Sequence, residues 1–277
     1  MYHTYKIDDE IIEVSLSSSD NYKFGASELL IEKFGDLIED MPWFSEGYKL
    51  VESNYFYNYT KIYESIEFSL KNILKRVNPK ISLINFKLDN YHKFVTDEEH
   101  LKVVEISRRL SPDELGFDTN KLFKSFSDYF NTNLSIIDPN TYLNQWIILR
   151  INRPFSTEFN PAHKDIYAHY HRSNFIPKMV NLWIPVCGVN QKSGLPVAPG
   201  SHMIHEDKIN KSNPGASLNG KVYSVNSILS WNNEQSMKKL CPDNDHFIAF
   251  SSHLIHGLAR NANSSTRISL EFRLYKT

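Results

Sequence analysis

An α+β chain with a mostly β core in its second half is expected here, and three observations carry that expectation. Up to about residue 141, apolar residues recur at helical spacing. From Tyr142 the period drops to two. The apolar runs beyond that point are short and separated by turn residues, which suggests a sandwich or barrel. The helical half can cover the apolar face of the last strand, so a single domain over residues 1–277 is expected, with 1–141 as largely helical support and 142–277 as the β core.

In order, Leu30, Phe34, Leu37 and Ile38 place a helix within 27–40. Ile62, Ile66, Leu70, Ile73, Leu74 and Val77 place a second over 61–77, stopped by Asn78-Pro79. Ile81–Phe86 reads as a short strand. Thr96-Asp-Glu-Glu99 is a capping box that opens a helix to about Leu110, and Ser111-Pro-Asp-Glu114 is another. Leu122, Phe123, Phe126, Tyr129 and Phe130 mark an aromatic helix face. Strand patterns follow at Trp146–Ile151, Val180–Val186 and Phe247–Phe250. The last strand is the clearest: Ile268, Leu270, Phe272 and Leu274 share one face, and Arg267, Ser269, Glu271 and Arg273 the other. Between them, residues 203–244 are rich in Asn, Ser and Lys; turns are expected at Asn213-Pro-Gly215 and Asn219-Gly220, and strand within Val222–Leu229. This stretch reads as a covering excursion near the mouth of the β core.

Composition narrows the function. Of 277 residues, 41% are hydrophobic and 23% charged, which suffices for a real core. A formal net charge of −1 gives no electrostatic case for nucleic acid or an anionic membrane. Two cysteines, Cys187 and Cys241, argue against a disulfide framework and fit a reducing cytoplasm. No secretory h-region or membrane-length apolar run is evident. Eight of the eleven histidines fall between positions 163 and 256, as a metal-centred half would have it.

Among them, His163 and Asp165 stand two apart. On an extended strand both side chains share a face and can offer a nitrogen and an oxygen to one ion. A third ligand must come from elsewhere; His256 is the candidate, with His253 competing three residues before it. Two histidines and one carboxylate, with three positions open, form the set expected for mononuclear non-haem iron(II). The same three could hold zinc for a hydrolase, and a jelly-roll binding module without metal is the non-catalytic alternative.

Further residues fit one family in order. After His163-Lys-Asp165 come Trp183 in a strand, Pro199-Gly-Ser-His202, His256-Gly257 and Arg267 eleven residues beyond His256. Over about residues 145–275 the sequence resembles the phytanoyl-CoA dioxygenase family. The resemblance implies a double-stranded β-helix (jelly roll, cupin-like) and a hydroxylase that uses Fe(II), O2 and 2-oxoglutarate as cosubstrate. It implies His163, Asp165 and His256 as the metal ligands and Arg267 as the anchor of the far 2-oxoglutarate carboxylate. Ser269 and Trp183 would border that cosubstrate. Retention of Asp165, which related halogenases lack, favours hydroxylation. Pro242-Asp-Asn-Asp245 departs from the usual Gly-Asp pair before the following strand.

Two motif residues have structural readings: His202 would satisfy turn backbone groups, and Gly200 would supply a backbone conformation closed to other residues. If the strand carrying His163 continued, Tyr167, His169 and His171 would keep its inward face, with Arg172 beside them. Those four would then hold a polar, small-molecule substrate.

Overall fold

The structure, a computed structural model, describes residues 2–16, 21–143, 147–156, 159–170, 175–214, 217–218, 221–223 and 225–277. The strands are β1 (Tyr2–Ile7), β2 (Glu10–Ser15), β3 (Lys23–Phe24), β4 (Tyr48–Glu52), β5 (Leu134–Ser135), β6 (Ile148–Asn152), β7 (Met179–Cys187), β8 (Leu195–Val197), β9 (Ile209–Lys211), β10 (Ser217–Leu218), β11 (Lys221–Val222), β12 (Ile228–Trp231), β13 (Ser236–Leu240), β14 (His246–Ser251) and β15 (Arg267–Lys276). The α-helices are α1 (Leu30–Phe34), α2 (Tyr59–Val77), α3 (Asp97–Ser107), α4 (Thr119–Tyr129) and the single turn α5 (Tyr167–Tyr170).

The largest sheet runs β4-β14-β7-β15-β5, and β6 also pairs with β15. Its pairings are antiparallel. Side chains alternate across it, and the alternation decides where the site lies. Val180, Leu182, Ile184 and Val186 of β7 join Ile268, Leu270, Phe272 and Leu274 of β15, with Ile147, Leu149 and Ile151 along β6. That face meets Ile62, Ile66, Leu70, Ile73 and Leu74 of α2 and Leu122, Phe123 and Phe126 of α4. Each such fully buried side chain contributes about 1.5–3 kcal/mol. The helices therefore seal one face, and the odd-numbered residues of β7 and β15 are left to line whatever the other face encloses.

A second sheet, β2-β1-β13-β8, is antiparallel except for the parallel β1–β13 pair. It packs with residues around Ala162 and Ile166 into a separate apolar cluster. A three-stranded sheet, β12-β9-β3, adds to that side.

Several expectations hold. Both capping boxes form, with Thr96 Oγ1 accepting from Glu99 N and Glu99 accepting from Thr96 N. Gly200 has φ of 72°, in the left-handed region. Others are corrected. The helix expected over 27–40 is only the five-residue α1, because turns take over at Gly35 with φ of 71°. Ile81–Phe86 forms no strand; Lys80 N bonds to the Asn78 side chain, and turns follow. The first 141 residues also give β1–β5, which helical periodicity did not reveal. Trp146, Gly215 and the Asn219-Gly220 turn lie outside the described residues.

Candidate metal centre and its pocket

His163 and His256 face each other across an isolated antiparallel bridge, His163 N donating to His256 O (2.9 Å) and His256 N to His163 O (3.0 Å). Their ring centroids lie 4.4 Å apart. Nδ1 of His163 sits 2.7 Å from Pro161 O, and Nδ1 of His256 sits 3.0 Å from Leu254 O. A carbonyl can only accept, so each Nδ1 carries the proton and each Nε2 presents a lone pair. Those lone pairs face one carboxylate: His163 Nε2 is 3.6 Å from Asp165 Oδ1, and His256 Nε2 is 3.7 Å from Asp165 Oδ2. The three donor atoms lie within 4.8 Å of one another, and all three residues are buried. Burial, aided by the neighbouring His163, pushes His256 down to about 4, so it is neutral at pH 7. Burial alone would raise Asp165, but Arg273, His256 and His163 outweigh it and hold the carboxyl well below the usual range. Two imidazoles, each with Nδ1 held at a backbone carbonyl, and one carboxylate fit a divalent metal ion.

His253 is excluded from this group by its own contacts. Its Nε2 lies 3.2 Å from Gly35 O, its backbone N donates to Ser251 Oγ, and burial pushes its ring down to about 3. Gly257 explains why the residue after His256 must be small. At φ of 135°, a Cβ there would lie 2.2 Å from Pro161 O, the residue that fixes the His163 ring. Gly257→Ala is therefore expected to cost about 1–3 kcal/mol of stability in denaturant melts and to weaken metal uptake in titrations.

The pocket at these residues runs along the inner face of the large sheet. Arg267 is fully buried on that face. Its Nη1 donates to Ser269 Oγ and its Nη2 to Ala259 O, both at 3.0 Å, while Nε has no partner among the described residues. No carboxylate among the described residues pairs with it, and burial, reinforced by Arg150, pushes it down to about 10. Trp183 lies under it, the guanidinium carbon 5.6 Å from the ring. A buried guanidinium without a counter-ion is costly, so this end of the pocket is built for an anion.

Of the residues offered as a substrate grip, Tyr167 and His169 are directed away from the pocket. No strand carries His163 and Asp165: His163 sits on an isolated bridge, and the chain turns at Asp165, where Ala168 N bonds back to Asp165 O and α5 begins. A helical turn destroys the period-two alignment on which the grouping depended. Tyr167 instead donates to Glu206 on the far side of the chain, and His169 contacts Tyr275. Neither lines the pocket. His171 and Arg172 lie outside the described residues. The described residues of 203–244 do not line the pocket either; they pack with β1, β2 and β3. His202 rests edge-on against Phe44, centroids 5.1 Å apart, and the turn is held by Ser201 Oγ accepting from Ile255 N.

The pocket residues that sequence reasoning missed are Arg150, Asn181, Glu271 and Arg273. Arg150 forms a two-pronged pair with Glu271 at 2.6 and 2.7 Å, and Arg273 Nη2 donates to Asp165 Oδ1 at 2.5 Å. The alternation of the last strand already put 271 and 273 on the face of Arg267; once Arg267 was assigned inward, its neighbours had to follow.

No family model and no curated protein matches the chain significantly. Solved structures do superpose on it. A non-heme monooxygenase, ThoJ, does so with TM-score 0.48 and 12% identity over 87% of this chain and 77% of that one. EctD from S. alaskensis with 2-oxoglutarate and 5-hydroxyectoine gives 0.49 and 10% over 98% and 86%. The non-heme alpha ketoglutarate dependent carbocyclase SnoK from nogalamycin biosynthesis gives 0.45 and 10% over 84% and 81%. Likeness at this level does not decide the reaction; the side chains must. No helix among the described residues is long and apolar enough to cross a membrane.

Proposed function

We propose that this chain is an Fe(II)- and 2-oxoglutarate-dependent oxygenase, of the phytanoyl-CoA dioxygenase type, with a jelly-roll core, and that it hydroxylates a small molecule. The observation that supports it most is one pocket that holds both a His-Asp-His set and a fully buried arginine with no ion-pair partner among the described residues. A zinc hydrolase needs the first but has no use for the second. His163, Asp165 and His256 would hold iron(II). The iron, when bound, supplies dioxygen activation coupled to decarboxylation of 2-oxoglutarate to succinate and CO2.

The protein's own part is positioning and exclusion. Arg267 takes the far carboxylate of the cosubstrate through its planar fork, and Ser269 fixes the plane of that fork. Trp183 covers one side of the cosubstrate, and α2 and α4 keep water from the back of the sheet.

The test is anaerobic reconstitution with iron(II), followed by exposure to O2 with and without 2-oxoglutarate. Succinate release that requires both iron and 2-oxoglutarate is the expected result. Stoichiometric zinc in the purified protein, with no succinate under any condition, would move the reading to a hydrolase.

A further inference from the structure

Two facing residues of the inner sheet surface stand apart from the metal ligands and the Arg267 end. Asn181 of β7 and Arg273 of β15 are direct cross-strand partners, and both line the pocket. Asn181 is 3% exposed, and neither its amide nitrogen nor its amide oxygen has a partner among the described residues. A buried amide left with both donor and acceptor unmet is unusual and points to a ligand. Arg273 has a side chain 29% exposed, and its one hydrogen bond among the described residues, to Asp165 Oδ1, uses a single N–H of five. Six residues along one strand put its backbone position roughly 20 Å from that of Arg267, so one five-carbon dicarboxylate cannot occupy both ends.

Charge sharpens the picture. The charged side chains lining the pocket are Arg150, Arg267 and Arg273 against Asp165 and Glu271, a net of one positive charge. A divalent metal and a dicarboxylate cosubstrate cancel each other and leave that excess in place. Arg150 is matched by Glu271 and Arg267 by the cosubstrate, so the excess is shared by the metal, Asp165 and the Arg273 that pairs with Asp165 at 2.5 Å. An excess positive charge beside a buried amide with unmet hydrogen-bonding groups favours an anionic ligand.

We propose that Arg273 and Asn181 form the substrate subsite, and that they select a small monoanionic carboxylic acid carrying a neutral hydrogen-bond donor beside the carboxylate, as a 2-hydroxy acid does. Arg273 and the Asn181 amide nitrogen donate to the carboxylate, and the Asn181 amide oxygen accepts the neighbouring O–H. The inference rests on the oxygenase reading, since the charge count includes the metal and cosubstrate.

The experiment is sequential calorimetry on the full chain: zinc(II) as a redox-silent metal, then 2-oxoglutarate to saturation, then a probe. The probes are 2-hydroxypentanoate, 2-hydroxypentanamide, pentanoate and norvaline. 2-Hydroxypentanoate is expected to bind at least tenfold tighter than the carboxamide, and tighter than pentanoate and norvaline. Asn181→Leu should weaken 2-hydroxypentanoate at least tenfold with zinc and 2-oxoglutarate affinities unchanged. Arg273→Gln should weaken it at least tenfold more than it weakens zinc. Equal binding of acid and carboxamide, tightest binding by norvaline, no binding by any probe, or parallel loss of probe and zinc in Arg273→Gln overturns the subsite. Failure of the zinc or 2-oxoglutarate steps themselves overturns the oxygenase reading, and the subsite falls with it.

Discussion

His256→Ala is expected to abolish stoichiometric metal binding, and His253→Ala to leave it intact. The two histidines stand three residues apart, yet the backbone sends them to different environments. His256 is paired with His163 through two backbone hydrogen bonds, and its Nδ1, 3.0 Å from Leu254 O, turns Nε2 toward Asp165. Its Nε2 lone pair has no other task. Removing it leaves one imidazole and one carboxylate, which would bind the metal too weakly for stoichiometric loading. His253, held at Gly35 and Ser251, should affect stability alone. Metal content after gel filtration, read beside thermal melts, separates the two variants. A metal-loaded His256→Ala protein and a metal-free, folded His253→Ala protein would reverse the assignment.

Arg267→Ala should raise the 2-oxoglutarate requirement by well over tenfold while metal binding persists. Truncating one member of a buried charge-assisted pair costs about 2–5 kcal/mol when the partner charge is left behind, and each 1.4 kcal/mol is tenfold. Arg267→Lys should fall between, since it keeps the charge but loses the fork. The measurements are the 2-oxoglutarate concentration at half-maximal succinate release and, separately, metal affinity. An unchanged cosubstrate dependence in Arg267→Ala would rule out the anchor.

Much of this site was legible because the C-terminal half is written in period two. A clean alternation from Arg267 to Leu274 locates both faces of β15 without a structure, and the spacing from His256 adds an anchor. Legibility failed where a local hydrogen bond overrode periodicity. His163, Asp165, Tyr167 and His169 alternate perfectly on paper, but the chain turns at Asp165 and Tyr167 faces Glu206. The N-terminal hairpin was hidden for a related reason. β1 and β2 are short and pair mostly with each other and with β13, more than two hundred residues away, a partnership that no local pattern can encode. Within 203–244, β9 and β13 are likewise placed by long-range pairing, with β3 and with β1 and β8.

Lys164 stands between His163 and Asp165, the two proposed ligands, and reaches instead to Glu206. It is fully buried and donates to Glu206 at 3.0 Å, while Tyr167 and Lys211 bind the other oxygen of the same carboxylate. The middle residue of His-x-Asp is therefore not a free position in this chain. Lys164→Met would leave Glu206 buried with one fewer counter-charge, and the strain would be felt at His163 and Asp165 through one peptide unit on either side. Free-energy coupling of this kind is reciprocal. Metal uptake should stiffen the run from Glu206 to Lys211, detectable as slower amide exchange there, and loosening that run should make the metal easier to lose.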